Sequence, residues 1–200
     1  MRELWKRTVL GIIFSLIVYI VASAPVIGID TFITVTSFYF GVELNVESYA
    51  VLAIVCVIAM LAGFAWFYLN LSKFINLQKT VDDIKCISKL RTAYILITVG
   101  ILIGLIPLFG WIVNLVCQIL AYVRIYIAFE KYSNSQVLGV GGKTGASLLK
   151  IYALLALISN VLLDLFFTSY LGMIGFIIAW VLLFMGWVKI ANDTPREKEA

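Results

Sequence analysis

The feature that most constrains this chain is a series of apolar runs of roughly twenty residues, the length that crosses ~30 Å of hydrocarbon as an α-helix. The chain is 63% apolar and 13% charged, whereas a soluble domain carries about 25% charged residues. Its polar surface is too small to cover a water-soluble body. The sequence therefore predicts an all-α integral membrane protein that forms one helical domain over residues 1–200.

Six spans are predicted, and their close succession favours three sequential helical hairpins. Their predicted bounds are residues 8–26, 49–71, 92–106, 111–131, 146–166 and 170–190. All fifteen Lys and Arg residues then fall on the side that holds both termini. The other side carries only acids, which are Asp30, Glu43, Glu47 and Asp164. By the positive-inside rule, both termini are expected in the cytoplasm, with the plasma membrane as the predicted location.

The N-terminal segment has the outline of a secretory signal peptide. Basic residues precede an apolar core, and an Ala-x-Ala sequence ends at Ala24. Pro25 follows directly, at a place where proline usually blocks cleavage. We therefore expect this segment to be kept as the first span and to act as a signal anchor.

A Lys-x-x-Asn pattern recurs at the inner end of each even-numbered span. The three copies begin at Lys73, Lys131 and Lys189, at intervals of 58 residues. Similar hairpins would share such residues, because Lys extends to the headgroups and Asn tolerates a left-handed cap. Descent from one ancestral repeat is the alternative.

Two segments between the predicted spans have patterns of their own. In the first outer loop, β-branched and aromatic residues at 33–40 precede alternating apolar and polar residues at 42–47. They indicate either a small β-hairpin over the bundle or an ordinary ordered loop. In the first inner loop, Thr80 stands before two acids and apolar residues at helical spacing. This predicts a helix cap, followed by a short amphipathic helix at the headgroups or a lead-in to the third span.

Polar side chains within the spans are costly in hydrocarbon and therefore mark candidate functional positions. Asn114 and Gln118 are four residues apart in the fourth span, and Asn160 and Asp164 are four apart in the fifth, so each pair shares a helix face. Trp111 lies at the same predicted depth. These five residues are candidates for an outward-facing ligand pocket beneath the first outer loop. Alternatively, they form interhelical hydrogen bonds worth about 0.6 kcal/mol each.

Residues near the inner helix ends predict contact with the lipid headgroups. The basic candidates are Arg124, Lys73, Lys131 and Lys189, whose long side chains reach toward the interface. An aromatic belt is expected at the same level, formed by Trp5, Phe74, Tyr126, Tyr132 and Trp187. Small residues that favour close helix packing are Gly100, Gly104, Gly172 and Gly175.

Motifs that carry chemistry are few. The chain has no His and three scattered Cys, so neither a metal site nor a disulfide framework is indicated. The spans contain no carboxylate pair, no Ser/His or Cys/His set and no metal-binding cluster, which are the groups that catalysis within a membrane generally needs. Gly139 to Thr144 is similar to a phosphate-binding loop, but Val137 stands where the first Gly is required. A flexible linker with a helix cap at Thr144 is expected there, and no catalytic residue, metal or cofactor is predicted.

Two classes of function agree with these observations. One is a non-catalytic subunit or scaffold that packs against partner proteins or lipids. The other is a substrate-binding or transport component with an outward-facing polar pocket. In size, six spans, inside termini and a long first outer loop, the chain is similar to the substrate-capture components of vitamin transporters, although no residue motif carries that likeness.

The expected partners follow from the same features. They are the lipid bilayer and membrane-protein subunits, while a small-molecule ligand is left open. Nucleic acid is not expected, because the net charge of +4 lies in juxtamembrane loops, where orientation and anionic lipid account for it.

Overall fold

The computed structural model describes residues 2–40, 46–78, 80–106, 109–164 and 169–193, and no β-strand occurs in these ranges. The helices are α1 (Arg2–Phe40), α2 (Val46–Asn76), α3 (Val81–Gly104), α4 (Gly110–Ser133), α5 (Val140–Asp164) and α6 (Ser169–Asn192). Each contains a segment long and apolar enough to cross a membrane. The all-helical, six-span class that the sequence predicts is therefore confirmed at the level of helix number, length and composition.

Consecutive helices pair as hairpins. The most extensive contacts join α1 to α2, α3 to α4 and α5 to α6. α4 also packs along α5, and α1 packs along α6, whereas α2 and α3 touch over a shorter stretch. The three hairpins thus follow one another around a shared core.

The first and last helices meet near the two termini. The indole Nε1 of Trp5 donates a hydrogen bond to the backbone oxygen of Ile190 at 2.9 Å. The start of α1 and the end of α6 therefore lie at the same end of the bundle. We name this the basic end, because it holds the helix ends that carry most of the Lys and Arg residues. The other is named the opposite end.

The sides of the bundle are apolar. Phe14 of α1, Ile58 of α2 and Ile177 of α6 are 59%, 61% and 61% exposed. Large apolar side chains on the outside are a liability in water and are what helices present to hydrocarbon. The outer surface is therefore compatible with a multi-pass membrane protein.

The first outer loop differs from its prediction. α1 continues as helix to Phe40, a length of 39 residues, and α2 begins at Val46. The β-hairpin and loop predictions for residues 33–40 are wrong, and residues 42–45 of the alternating segment lie outside the described residues. β-Branched residues lower helix propensity by at most about 0.7 kcal/mol each, and a helix that is already nucleated gains a hydrogen bond with every residue added.

All six helices begin before their predicted bounds, and the early starts of α3 and α5 replace segments that were predicted to lie between spans. α3 starts at Val81 rather than at residue 92, and the side chain of Thr80 accepts a hydrogen bond from the backbone N–H of Asp83 at 3.1 Å. The predicted cap is confirmed, and the amphipathic segment is a lead-in continuous with α3. α5 starts at Val140 rather than at residue 146. Thr144 is not a cap, because its hydroxyl donates to the backbone oxygen of Val140 at 2.8 Å.

Candidate functional site

The polar pair of α4 lies in the contact between α3 and α4. The amide Nε2 of Gln118 donates to Oδ1 of Asn114 at 3.3 Å, and Gln118 is buried. A Cβ on Gly100 would come within 2.9 Å of Asn114 Oδ1, and one on Gly104 within 3.5 Å of the Asn114 Cβ. The Gly-x-x-x-Gly face of α3 thus receives the Asn114 side chain, which is the close packing that the glycine spacing predicts.

The other candidate pocket residues differ in their surroundings. Asn160 on α5 is half-buried, and its amide Nδ2 is buried with no hydrogen-bond partner. Trp111 is 58% exposed on the surface of α4. The side chain of Asp164 lies outside the described part of the chain. Next to Asn160, Ser159 packs against Gly172 and Gly175 of α6, so these glycines also serve close helix contact.

A group of buried tyrosines, not predicted from the sequence, connects four helices. The hydroxyl of Tyr19 on α1 and that of Thr98 on α3 form a hydrogen bond at 3.0 Å. The hydroxyl of Tyr152 on α5 interacts with those of Tyr94 and Tyr122 on α3 and α4. Tyr94 and Tyr152 are 58 residues apart, so the repeat interval is the signal that could have found them. Their hydroxyls supply polar partners within an otherwise apolar core.

Four aromatic residues of the predicted belt lie inside the bundle instead of facing the headgroups. Trp5, Phe74, Tyr132 and Trp187 are at most 4% exposed. Phe74 is central, with ring centroids 5.0 Å from Trp5, 6.3 Å from Tyr132 and 5.6 Å from Trp187. The belt prediction is wrong for these four because they occupy the inward faces of their helices. They close the core at the basic end.

Repeat-related positions meet in this aromatic cluster. Phe74 and Tyr132 are 58 residues apart and touch each other. Phe129 and Trp187 have the same separation, and their ring centroids are 5.9 Å apart. The hairpins therefore contribute aromatic side chains from corresponding turns.

Hydrogen bonds join the polar segments that flank α3 and α4 at the basic end. The carboxylate Oδ2 of Asp83 accepts from the hydroxyl of Ser135 at 2.9 Å. The hydroxyl of Tyr132 donates to Oε1 of Gln78 at 3.0 Å, and the amide of Gln78 donates to the backbone oxygen of Phe74 at 3.0 Å. The connection before α3 is thereby fixed to the end of α4.

The glycine-rich segment binds a carboxylate from its own chain. The backbone N–H of Gly139 donates to Oδ2 of Asp193 at 2.8 Å, and the Asp193 carboxylate also lies against Gly141 and Gly142. A side chain at Gly142 would overlap this carboxylate. Backbone N–H groups at a helix start favour an anion, and Asp193 supplies it. This contact explains why α5 begins here and why the predicted flexible linker is not observed.

A cavity of about 790 Å³ opens at the basic end between the first turns of α3 and the segment that follows α4. Three lysines line it, Lys85 and Lys89 from α3 and Lys131 from α4. Asp82 and Asp83 also line it, so the lysines outnumber the acids by one. Among the described side chains, no three Cys, Asp or Glu residues come together as metal ligands would.

The predicted headgroup residues are on the outside of the bundle. Lys73, Lys131 and Lys189 occupy the last turns of α2, α4 and α6 and are exposed, as is Arg124 on α4. A cation in the last turn of a helix is favoured by the helix dipole. Lys131 differs from the other two lysines because it also lines the cavity.

Comparison with protein-family models, with curated proteins and with solved structures gave no match. The class that the fold itself supports is a helical bundle compatible with a multi-pass membrane protein. One feature of the likeness to vitamin-transporter components, the long first outer loop, is not observed. α1 and α2 take up most of the residues predicted to form that loop.

Proposed function

We propose that this protein is a non-catalytic, multi-pass subunit or scaffold of the plasma membrane, with both termini in the cytoplasm. Its apolar sides would pack against lipids or partner proteins. The observation that carries the proposal is the packing of Asn114 against Gly100 and Gly104 of α3, with its amide oxygen already engaged by Gln118 of the same helix. The polar side chains of the fourth span, Asn114 and Gln118, are thus used in the packing of α4 against α3. A ligand site would instead need these side chains to be free to contact the ligand.

The basic end supports the proposed orientation. Exposed lysines end α2, α4 and α6 there, and cytoplasmic loops carry an excess of Lys and Arg. Anionic lipids of the cytoplasmic leaflet attract such residues, each contributing about 1 kcal/mol. A basic cytoplasmic face and apolar sides are what a membrane-embedded scaffold needs.

Purification in mild detergent tests the proposal most directly. A scaffold is expected to bring down a stoichiometric membrane-protein partner. Replacing Gln118 by Leu should lower the thermal midpoint of the bundle or its yield of assembled complex, because Asn114 then loses its partner. If instead a small molecule co-purifies and Gln118→Leu removes it without changing the midpoint, the scaffold proposal is wrong.

One observation favours the transport alternative, namely the buried Asn160 amide without a partner. A ligand would supply the missing acceptor. In that case Asn160→Leu and Asp164→Asn should abolish ligand uptake while the protein folds normally. If Asn160 merely lies in a packed interface, Asn160→Leu should leave stability unchanged or raise it, since an unsatisfied buried donor costs about 1–3 kcal/mol.

A further inference from the structure

The cavity at the basic end gathers positive charge from two helices. Lys85 and Lys89 are four residues apart on α3 and therefore share a face. Lys131 joins them from the last turn of α4. The thiol of Cys86, which also lines the cavity, lies within the electrostatic influence of Lys131 and Lys89 and also of Asp83 and Asp82. Lysines from two different helices, with both acids, therefore surround the same part of the wall.

The acids of the cavity leave part of this charge uncompensated. Asp83 is 5% exposed and is engaged by the Ser135 hydroxyl at 2.9 Å, so part of its accepting capacity is already used within the protein. Asp82 is exposed at the rim. The three lysines and two aspartates that line it leave one excess positive charge around a space of about 790 Å³, which is large enough for a phosphate and the group attached to it.

We propose that this cavity binds a phosphate group, with Lys85, Lys89 and Lys131 as its cationic ligands. The phosphate is carried either by an anionic lipid headgroup or by a soluble phosphate compound. The lipid source rests on the membrane location proposed above, because the cavity then lies at the level of the cytoplasmic headgroups. The soluble source does not depend on that proposal or on the scaffold role.

The 58-residue repeat supplies matched control positions. Lys73 and Lys189 correspond to Lys131 in sequence and are likewise exposed in the last turn of a helix. Neither lines the cavity. A general attraction of basic residues to anionic membranes would affect the three lysines alike, whereas a phosphate site singles out Lys131.

Binding is measured on the full chain by titration with phosphatidic acid in detergent micelles, with phosphatidylcholine as the neutral lipid, and by thermal shift with pyrophosphate. Lys89→Gln and Lys131→Gln should each weaken binding of the effective probe roughly fivefold. Lys73→Gln and Lys189→Gln should change it less than about twofold. Lys131→Arg, which keeps the charge, should retain binding and guards against a folding defect.

A gain of affinity provides the sharper test. Asp82→Asn removes the exposed carboxylate at the rim and should tighten binding by several-fold, a result that a purely structural role for Asp82 would not produce. Lysine-dependent binding of phosphatidic acid alone assigns the site to a lipid, and lysine-dependent stabilisation by pyrophosphate assigns it to a soluble phosphate. If neither probe distinguishes Lys131→Gln from Lys73→Gln, or if Asp82→Asn weakens binding, the phosphate site is refuted.

Discussion

At the scale of single residues, the contact between Asp193 and the glycine-rich segment holds the start of α5 and the end of α6 together at the basic end. Its carboxylate is 8% exposed and accepts the Gly139 N–H at 2.8 Å. A hydrogen bond to a charged group contributes about 1.5–3 kcal/mol. Residues at the start of α5 are thus linked to the end of α6 across the open end of their hairpin.

Replacing Asp193 by Asn should therefore lower the free energy of unfolding by about 1.5–3 kcal/mol. The amide keeps the shape of the side chain but loses the charge that the Gly139 N–H favours. The thermal midpoint in detergent, followed by tryptophan fluorescence, measures the effect. Asp82→Asn is the matched control, because Asp82 is exposed. Equal midpoints for both variants would show that the carboxylate contributes nothing to this contact.

At the scale of helices, Gly100 and Gly104 of α3 allow a test of close packing. They look equivalent in the sequence, but replacing each by Ala should change the stability of the bundle differently. A Cβ on Gly100 would come within 2.9 Å of both Asn114 Oδ1 and Cys117 Cβ, whereas one on Gly104 would meet nothing closer than 3.5 Å. Gly100→Ala should therefore destabilise the bundle by roughly 1–3 kcal/mol, as overpacking does.

Gly104→Ala should be neutral or slightly stabilising, because Ala has the higher helix propensity by about 1 kcal/mol. The midpoint of thermal unfolding in the same detergent compares the two variants. A larger loss for Gly104→Ala than for Gly100→Ala would contradict the α3–α4 arrangement described above.

The structure was easiest to predict from the sequence where one local physical effect determined it. Apolar runs specified the six helices, and the spacing of Gly100 and Gly104 anticipated their packing role, because length and small size act locally. The path of residues 33–40 was not predictable from β-branched composition, since continuation of an existing helix outweighs weak propensities. The start of α5 depends on Asp193, which is more than fifty residues away, and no local pattern reveals such a partner.

The candidate site was harder to predict than the fold. Asn114 and Gln118 were recognised as a pair on one helix face, and they are hydrogen-bonded to each other within α4. The packing of Asn114 against Gly100, however, depends on how α3 meets α4. The cavity was missed, because Lys85 and Lys89 meet Lys131 only where α3 packs beside α4. The sequence placed the first two on a short helix or lead-in before the third span, but no local pattern shows that Lys131, on another helix, lies beside them.

At the scale of the whole molecule, the helices place both described ends of the chain at the basic end, as the Trp5–Ile190 hydrogen bond requires. The positive-inside rule then predicts that this end faces the cytoplasm. Cysteine labelling in intact cells tests the prediction, starting from a variant in which the native thiols, Cys56, Cys86 and Cys117, are replaced by Ala. Phe109, at the opposite end, is 72% exposed, and Gln136, at the basic end, is also exposed.

With a membrane-impermeant maleimide, Phe109→Cys should be labelled in intact cells, while Gln136→Cys should be labelled only after the cells are permeabilised. The reason is that the fifteen basic residues lie on the Gln136 side of the predicted topology, and Lys and Arg in short loops are retained in the cytoplasm. The cysteine-free variant reports background labelling. The reverse pattern would place the basic end outside the cell and would remove the cytoplasmic lipid headgroups as a source of the phosphate in the cavity.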